Sequence, residues 1–309
     1  AVSNLEEAVQ IRRGEVRLPI LILGYTPAEY AANMIFLDIT QEVHSLEYAR
    51  ELNEALAGTN YILNVHLKLD TGMTRIGFFA YDDERTLDEL RQVAQLPHLH
   101  IEGVFMHFCV ADSRAEADVS FTKLQYKRFM DMLSAMAGVG IRPEIRHCCN
   151  SGATILYPEF ALDMVRPGII TYGNAPSDEL EGALSLRPMM SLHSMIAQVR
   201  TVPAGTDISY GRLYRTKEET RVAVLPIGYA DGLSRLLTGK ASFYLQGHQV
   251  PVIGRICMDM CMIDVSGVPE AKPGDVVTIF GYDDDGTLLP CERLARAQGT
   301  INYCLLYTS

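Results

Sequence analysis

Helix-like and strand-like segments alternate through the first part of this chain, and after Pro188 the alternation stops. LEEAVQIRRG runs into LPILILG, SLEYARELNEALAG into YILNVHLKLD, LDELRQVAQL into IEGVFMHF, and FTKLQYKRFMDMLSAMAGVG into IRHCCNS. A helix inserted between successive strands returns the chain to a parallel neighbour, so several such units in a row predict an α/β architecture closing toward a (β/α)8 TIM-type barrel. About seven strand candidates precede the change of texture, one fewer than a closed barrel uses. The opening AVSNLEEA reads as the tail of a strand entering a helix, so residues 1–187 are expected to form a barrel lacking its first βα unit. From 188 to 309, pieces such as SLHSMIAQVRTV, RVAVLPIGYA, ASFYLQG, HQVPVIGRICMDMCMIDV and DVVTIFG follow one another with turn residues between them, predicting a mostly antiparallel β domain.

With 309 residues and 48% hydrophobic composition the chain can bury a large core. Its formal charge of −11, with Lys and Arg scattered, argues against nucleic acid as a partner. No apolar run approaches the roughly 20 residues of a membrane helix, and no signal core follows a basic start, so a soluble, cytoplasmic chain is expected. The cysteines, 109, 148, 149, 257, 261, 291 and 304, form an odd set that suits reduced thiols. Cys257 and Cys261 in RICMDMCMIDV read as small buried residues on one strand face rather than zinc ligands, and no metal is expected.

Asn64 to Phe78 reads NVHLKLDTGMTRIGF. With Val65, Leu67 and Leu69 on one face, the other carries His66, Lys68 and Asp70, a polar line where a buried strand is ordinarily apolar. Barrel chemistry gathers at the carboxyl ends of the strands, and four such ends carry polar residues: Lys68 to Arg75, His107, Asn150 with Ser151, and Arg166 with Gly168 and Ile169. Taken alone, His107 reads as a hydrogen-bonded core histidine, and Lys68 could pair with Asp70 along its own strand face.

Taken together and in order, HLKLDTGMTRIGF, FMHF, HCCNSGAT, MVRPGIITYG, ISYGRLY, LPIGYADGLSR, VIGRICMDMCMIDV and TINY resemble the alanine racemases, which depend on pyridoxal 5′-phosphate. The resemblance implies interconversion of L- and D-alanine by two acid/base groups flanking the cofactor plane. One matches Tyr210, which the family supplies from the partner subunit of a homodimer, with His107 and Arg166 as its proton relay. Arg166 would face the pyridine nitrogen, where a guanidinium can only donate. Asn150, Ser151, Gly168, Ile169 and Tyr303 match the phosphate-side residues. Lys68 matches a lysine carrying a carbamate (N6-carboxylysine), which turns a cation into an anion that aims Arg75 at cofactor and substrate. Met258 and Asp259 match substrate-side residues contributed across the dimer, and Tyr229 matches a tyrosine near the entrance. The implied product use is D-alanine for bacterial peptidoglycan.

Two departures stand out. The family's Schiff-base lysine lies in a motif resembling VKADAYGHG, and none of Lys68, Lys123, Lys127, Lys217, Lys240 or Lys272 has that context. The family pattern continues past INYE, whereas this chain reads INYCLLYTS. A fragment shortened at both ends, inactive alone, is therefore expected. A serine/alanine racemase domain of a membrane-attached protein is the nearest alternative. A non-catalytic cofactor carrier, which would lack the β domain, and a barrel decarboxylase with a cysteine-and-aspartate motif fit less well.

Overall fold

The computed structural model describes residues 1–81 and 83–308. Its contacts divide into two units, one of residues 1–171 and 175–185, the other of 172–174 and 186–309.

The first unit is built on a parallel sheet. Its helices and strands follow in order: α1 (Leu5–Arg13), β1 (Ile20–Ile22), α2 (Ala31–Phe36), β2 (Ile39–Val43), α3 (Leu46–Ala55), β3 (Leu63–Asp70), β4 (Phe78–Phe79), α4 (Asp83–Ala94), β5 (Leu99–Phe105), α5 (Glu116–Gly138), β6 (Ile145–His147) and α6 (Ser151–Leu156). The long strands lie in the order β1-β2-β3-β5-β6, every pair parallel. Parallel bridges from Val2 to Ile22 and from His147 to Met164 extend the ladder at either side. The helices start where polar caps precede amphipathic runs. Asn4 accepts from the Glu7 amide at the head of α1, and Ser45 accepts from the Tyr48 amide at the head of α3. Acidic Glu6 and Glu7 open α1 and basic Arg12 and Arg13 close it, matching the helix dipole. Leu67, Leu69, Val104, Phe129 and Met132 are among the residues of one buried apolar cluster between sheet and helices.

The polar line of β3 is buried, with His66, Lys68 and Asp70 each at most 3% exposed. β2 (ITQEV) carries Gln41 and Glu42, both fully buried, in the middle of the strand. A bulge interrupts the β3–β5 ladder. Val65 pairs with Ile101 and His66 with Gly103, leaving Glu102 as the extra residue.

The second unit is antiparallel. Its strands are β7 (Leu192–Met195), β8 (Gln198–Val202), β9 (Asp207–Ile208), β10 (Tyr214–Arg215), β11 (Thr220–Leu225), β12 (Ser242–Leu245), β13 (His248–Pro251), β14 (Cys261–Asp264), β15 (Val276–Tyr282) and β16 (Leu288–Leu289), closed by helices α7 (Cys291–Gln298) and α8 (Asn302–Thr308). β14-β11-β8 form one sheet; β13-β12-β15-β16, with β7 also on β15, form another. Phe243, Ile263, Val277 and Phe280 are buried in its core. The run HQVPVIGRICMDMCMIDV is not one strand, because a loop separates β13 from β14. Cys257 lies in that loop and Cys261 begins β14, so the two do not share a strand face.

Candidate active site

The ends of β5 and β6 meet at Arg166, and the charges of Lys68 and Arg75 reach it from the end of β3. Its guanidinium is fixed by protein groups on two nitrogens: Nη1 donates to His147 Nδ1 at 2.5 Å, and Nη2 donates to the Met106 and Cys148 carbonyls at 2.7 and 3.2 Å. The third donor, Nε, is buried and has no partner. Burial, with the Arg75 charge assisting, lowers Arg166 to about 10 against the opposing influence of Cys148 and Cys149, which leaves it a cation at neutral pH.

His107, the residue that alone read as a core histidine, stands among cations. Burial first, then Arg166, Arg75 and Lys68, lower it to about 3, so the imidazole is neutral. Gln125 of α5 donates to the His107 carbonyl and to Thr71 Oγ1, and accepts from the Cys109 amide, tying two strand-end loops together.

Lys68 does not pair with Asp70. Its Nζ donates to the Leu69 carbonyl at 2.8 Å, while Asp70 Oδ1 accepts from the Gly72 and Thr74 amides and shapes the turn leading to Arg75. Burial lowers Lys68 to about 8; Asp70 opposes the shift, Arg166 and Arg75 add to it, and Glu42 opposes it. A lysine with cations for neighbours and a depressed pKa is a nucleophilic amine near neutral pH.

The phosphate-side residues separate into two kinds. Asn150 is spent on structure, since its side chain caps α6 by accepting from the Ala153 amide and donates to the Phe108 carbonyl. Ser151 Oγ accepts from the Gly168 amide at 2.9 Å. A Cβ placed on Gly168 would meet only that hydroxyl, at 4.0 Å, so the space beside the Ser151–Gly168 pair is open. Buried Ile169 follows in the same loop. An open polar cradle at one end and an orphaned buried donor at the other fit a flat phosphorylated pyridine, with the phosphate by Ser151 and Gly168 and the ring nitrogen by Arg166 Nε.

Tyr210, Met258 and Asp259 belong to the second unit and line one cleft of about 610 Å3 together with Cys257, Arg200 and Met260. Tyr210 is 69% exposed on a turn with three positive φ values, Ser209 at 64°, Gly211 at 72° and Arg212 at 54°. Left-handed backbone at a serine and an arginine is strain of about 1–3 kcal/mol per residue, held here by Ser209 Oγ donating to the Arg255 carbonyl. The GYADG and ICMDM stretches are zipped together. Tyr229 and Ala230 amides donate to the Cys257 and Met258 carbonyls, and a Cβ on Gly228 would sit 2.2 Å from the latter, so only glycine fits. Tyr229 is half-exposed, and Tyr303 lies on α8 of the same unit.

The sequence reading missed His147 as a partner of Arg166, and with it Glu102. The signals were present: a histidine opening HCCNSG, and Glu-Gly breaking the apolar run of IEGVF.

A parallel sheet with a cation-rich wall, followed by an antiparallel domain, defines a two-domain protein of α/β and β units, and comparison with known proteins specifies its class. Residues 1–176 match the model of the alanine racemase N-terminal domain, and residues 189–309 that of the C-terminal domain. The alanine racemase of Desulfovibrio desulfuricans is 46% identical over 302 residues, covering 98% of this chain and 79% of the relative, and that of Desulforamulus reducens is 44% identical over 304 residues, 98% and 80%. Among solved structures, alanine racemase from Bacillus anthracis with bound L-Ala-P superposes at a TM-score of 0.91 with 34% identity, covering 99% of this chain and 78% of that one. The chain belongs to the alanine racemase family, pyridoxal-phosphate-dependent isomerases that interconvert L- and D-alanine. The membrane-attached serine/alanine reading gains no support from these matches, and among the described residues no helix is long and apolar enough to cross a membrane.

Proposed function

We propose that this chain belongs to a homodimeric enzyme that racemises alanine by a two-base mechanism, with the barrel of one subunit and Tyr210 of its partner forming each site. The carrying observation is the pairing of an orphaned Arg166 Nε with the open Ser151–Gly168 cradle. Bound there, pyridoxal phosphate supplies an electron sink that acidifies the substrate α-carbon. Ser151, Gly168 and Ile169 would hold its phosphate, and Asn150 keeps α6 in place. Arg166 stays protonated, and its Nε would donate to the ring nitrogen, where a guanidinium can only donate. Tyr210 Oη takes the α-proton of L-alanine and returns one in the reverse direction, with neutral His107 and the Arg166 charge as its relay. The opposite face is assigned to the family's Schiff-base lysine, whose motif none of the six lysines in this sequence matches. Arg75, Met258 and Asp259 receive the substrate, and Tyr229 guards the approach. The setting is the bacterial cytoplasm, where D-alanine feeds peptidoglycan.

Two bases on opposite faces leave an isotopic record. In deuterated water, D-alanine formed from L-alanine in a single turnover carries solvent deuterium at Cα, because the returning proton comes from a different group. Product that retained the original protium would mean a single base and would remove Tyr210 or the lysine from the mechanism.

Lys68 is assigned a carbamate. Its amine, lowered to about 8, has a substantial deprotonated fraction for attack on carbon dioxide at slightly alkaline pH, and the resulting anion replaces a cation beside Arg75. Lys68→Ala is expected to reduce activity about tenfold to hundredfold, the cost of losing one charge-assisted partner of Arg75. Added acetate or propionate should restore part of it. A carbamate resonance in protein equilibrated with 13C-bicarbonate checks the modification directly, and its absence from fully active enzyme would sink the assignment.

A further inference from the structure

Arg166 is the end of a hydrogen-bonded series that runs through the barrel interior. His147 accepts from Arg166 on Nδ1, and its Nε2 lies 2.8 Å from His66 Nδ1; His66 Nε2 lies 3.1 Å from Glu102 Oε2, which also accepts from Thr40 Oγ1. Both imidazoles are buried, at 0% and 2% exposure.

The two termini decide every proton between them. A guanidinium has no acceptor, so while Arg166 donates to it His147 presents a bare Nδ1 and carries its proton on Nε2. That proton can go only to a bare Nδ1 on His66, which therefore also carries its proton on Nε2. A carboxylate has no donor, so it can receive that last hydrogen. The series has one consistent arrangement, with both rings neutral. Burial first, then the Arg166 cation, lower the pKa of His147, and burial lowers that of His66 against the pull of Glu102, in agreement with two neutral rings.

The backbone is arranged to admit this carboxylate. Glu102 is the extra residue of the β5 bulge, a device that re-aims a side chain, and its carboxylate reaches the His66 ring. Next to it, a Cβ on Gly103 would lie 2.5 Å from the His66 ring, so the glycine makes the room the imidazole occupies.

We infer that Glu102 is a positioning residue for Arg166, acting through the fixed tautomers of His66 and His147 to hold the guanidinium with Nε turned toward the cofactor ring. The inference rests on the placement of Arg166 against the ring nitrogen proposed above. The variant that tests it is Glu102→Leu, which leaves the buried His66 Nε2–H without an acceptor and sets that cost against the Arg166–His147 bond. A reversed His66 donates from Nδ1, which forces His147 to carry its proton on Nδ1 and to face the Arg166 donor with a donor. Glu102→Gln keeps an acceptor oxygen and serves as the rescue.

The full chain with 15N-labelled histidine is measured by long-range 15N–1H correlation, which distinguishes the tautomers, and its affinity for pyridoxal phosphate by fluorescence titration. Expected are two neutral Nε2–H rings in the parent and in Glu102→Gln. In Glu102→Leu the single tautomer should give way to a mixture of Nε2–H and Nδ1–H forms in both rings, and the cofactor should bind up to about tenfold more weakly, as for a charge-assisted hydrogen bond lost part of the time. A protonated or Nδ1–H ring in the parent overturns the inference, as do unchanged tautomers in Glu102→Leu. Tautomers that reverse while affinity holds overturn the placement of Arg166 against the ring instead.

Discussion

Tyr210→Phe is expected to slow racemisation by about two to four orders of magnitude, the range a positioned acid/base group contributes. The equilibrium constant between mirror images is one, so kcat/KM must fall equally in both directions. Solvent exchange of the α-proton separates the two faces. Exchange into L-alanine, which depends on Tyr210, should disappear, while exchange into D-alanine, which depends on the base on the other face, should persist. Folding and cofactor affinity should be unaffected, because the ring is 69% exposed and only its hydroxyl is removed. Equal loss of exchange from both enantiomers would place Tyr210 outside the proton-transfer step.

Mixing two inactive variants should recover activity that neither has. If each site combines a barrel with the partner's Tyr210, then a subunit carrying Arg166→Leu still lends a good tyrosine, and one carrying Tyr210→Phe still lends a good barrel. A heterodimer of the two has one site with both defects and one with neither. Random exchange makes half the dimers hetero, so about a quarter of the parental activity should return from a starting level of a hundredth or less. Sedimentation of the mixture verifies that subunits have exchanged. Exchange without recovery would mean that tyrosine and barrel act within one chain. The exposure of Tyr210, Met258 and Met260 along one cleft of the β unit is what a face completed by a second copy presents.

Much of the fold was legible because apolar periodicity and caps coincide. α1 and α3 fall within the helical segments read from the sequence, α4 and α5 overlap theirs but begin four and five residues earlier, and β1, β3, β5 and β6 overlap the strand segments they were expected to enter. β2 escaped notice because Thr40, Gln41 and Glu42 interrupt its apolar run, yet all are buried: polar residues in a barrel interior are supported by partners on other strands, which no local window sees. The loop between β13 and β14 escaped for the converse reason, since ICMDMCMI alternates like a strand while Gly228 and Gly254 hold its backbone in a turn against distant segments. The candidate site was legible as motifs rather than as geometry. His66, His147 and Glu102 are 36 and more residues apart wherever they touch, and only the pairing of strands discloses the contact.

The bulge in β5 has a consequence for how this strand tolerates loss of length. Removing one residue from a strand ordinarily turns everything beyond it to the opposite face. Glu102 is the exception, because it has no partner of its own on β3: without it, Ile101 would be followed directly by Gly103, the ladder would become continuous, and Phe105 would still face Lys68. The strand can therefore be read as a regular one into which a single residue has been inserted and retained for its side chain. Deletion at 102 is an excision with the scaffold intact, whereas deletion of Val104 would invert the phase of everything that follows, His107 included.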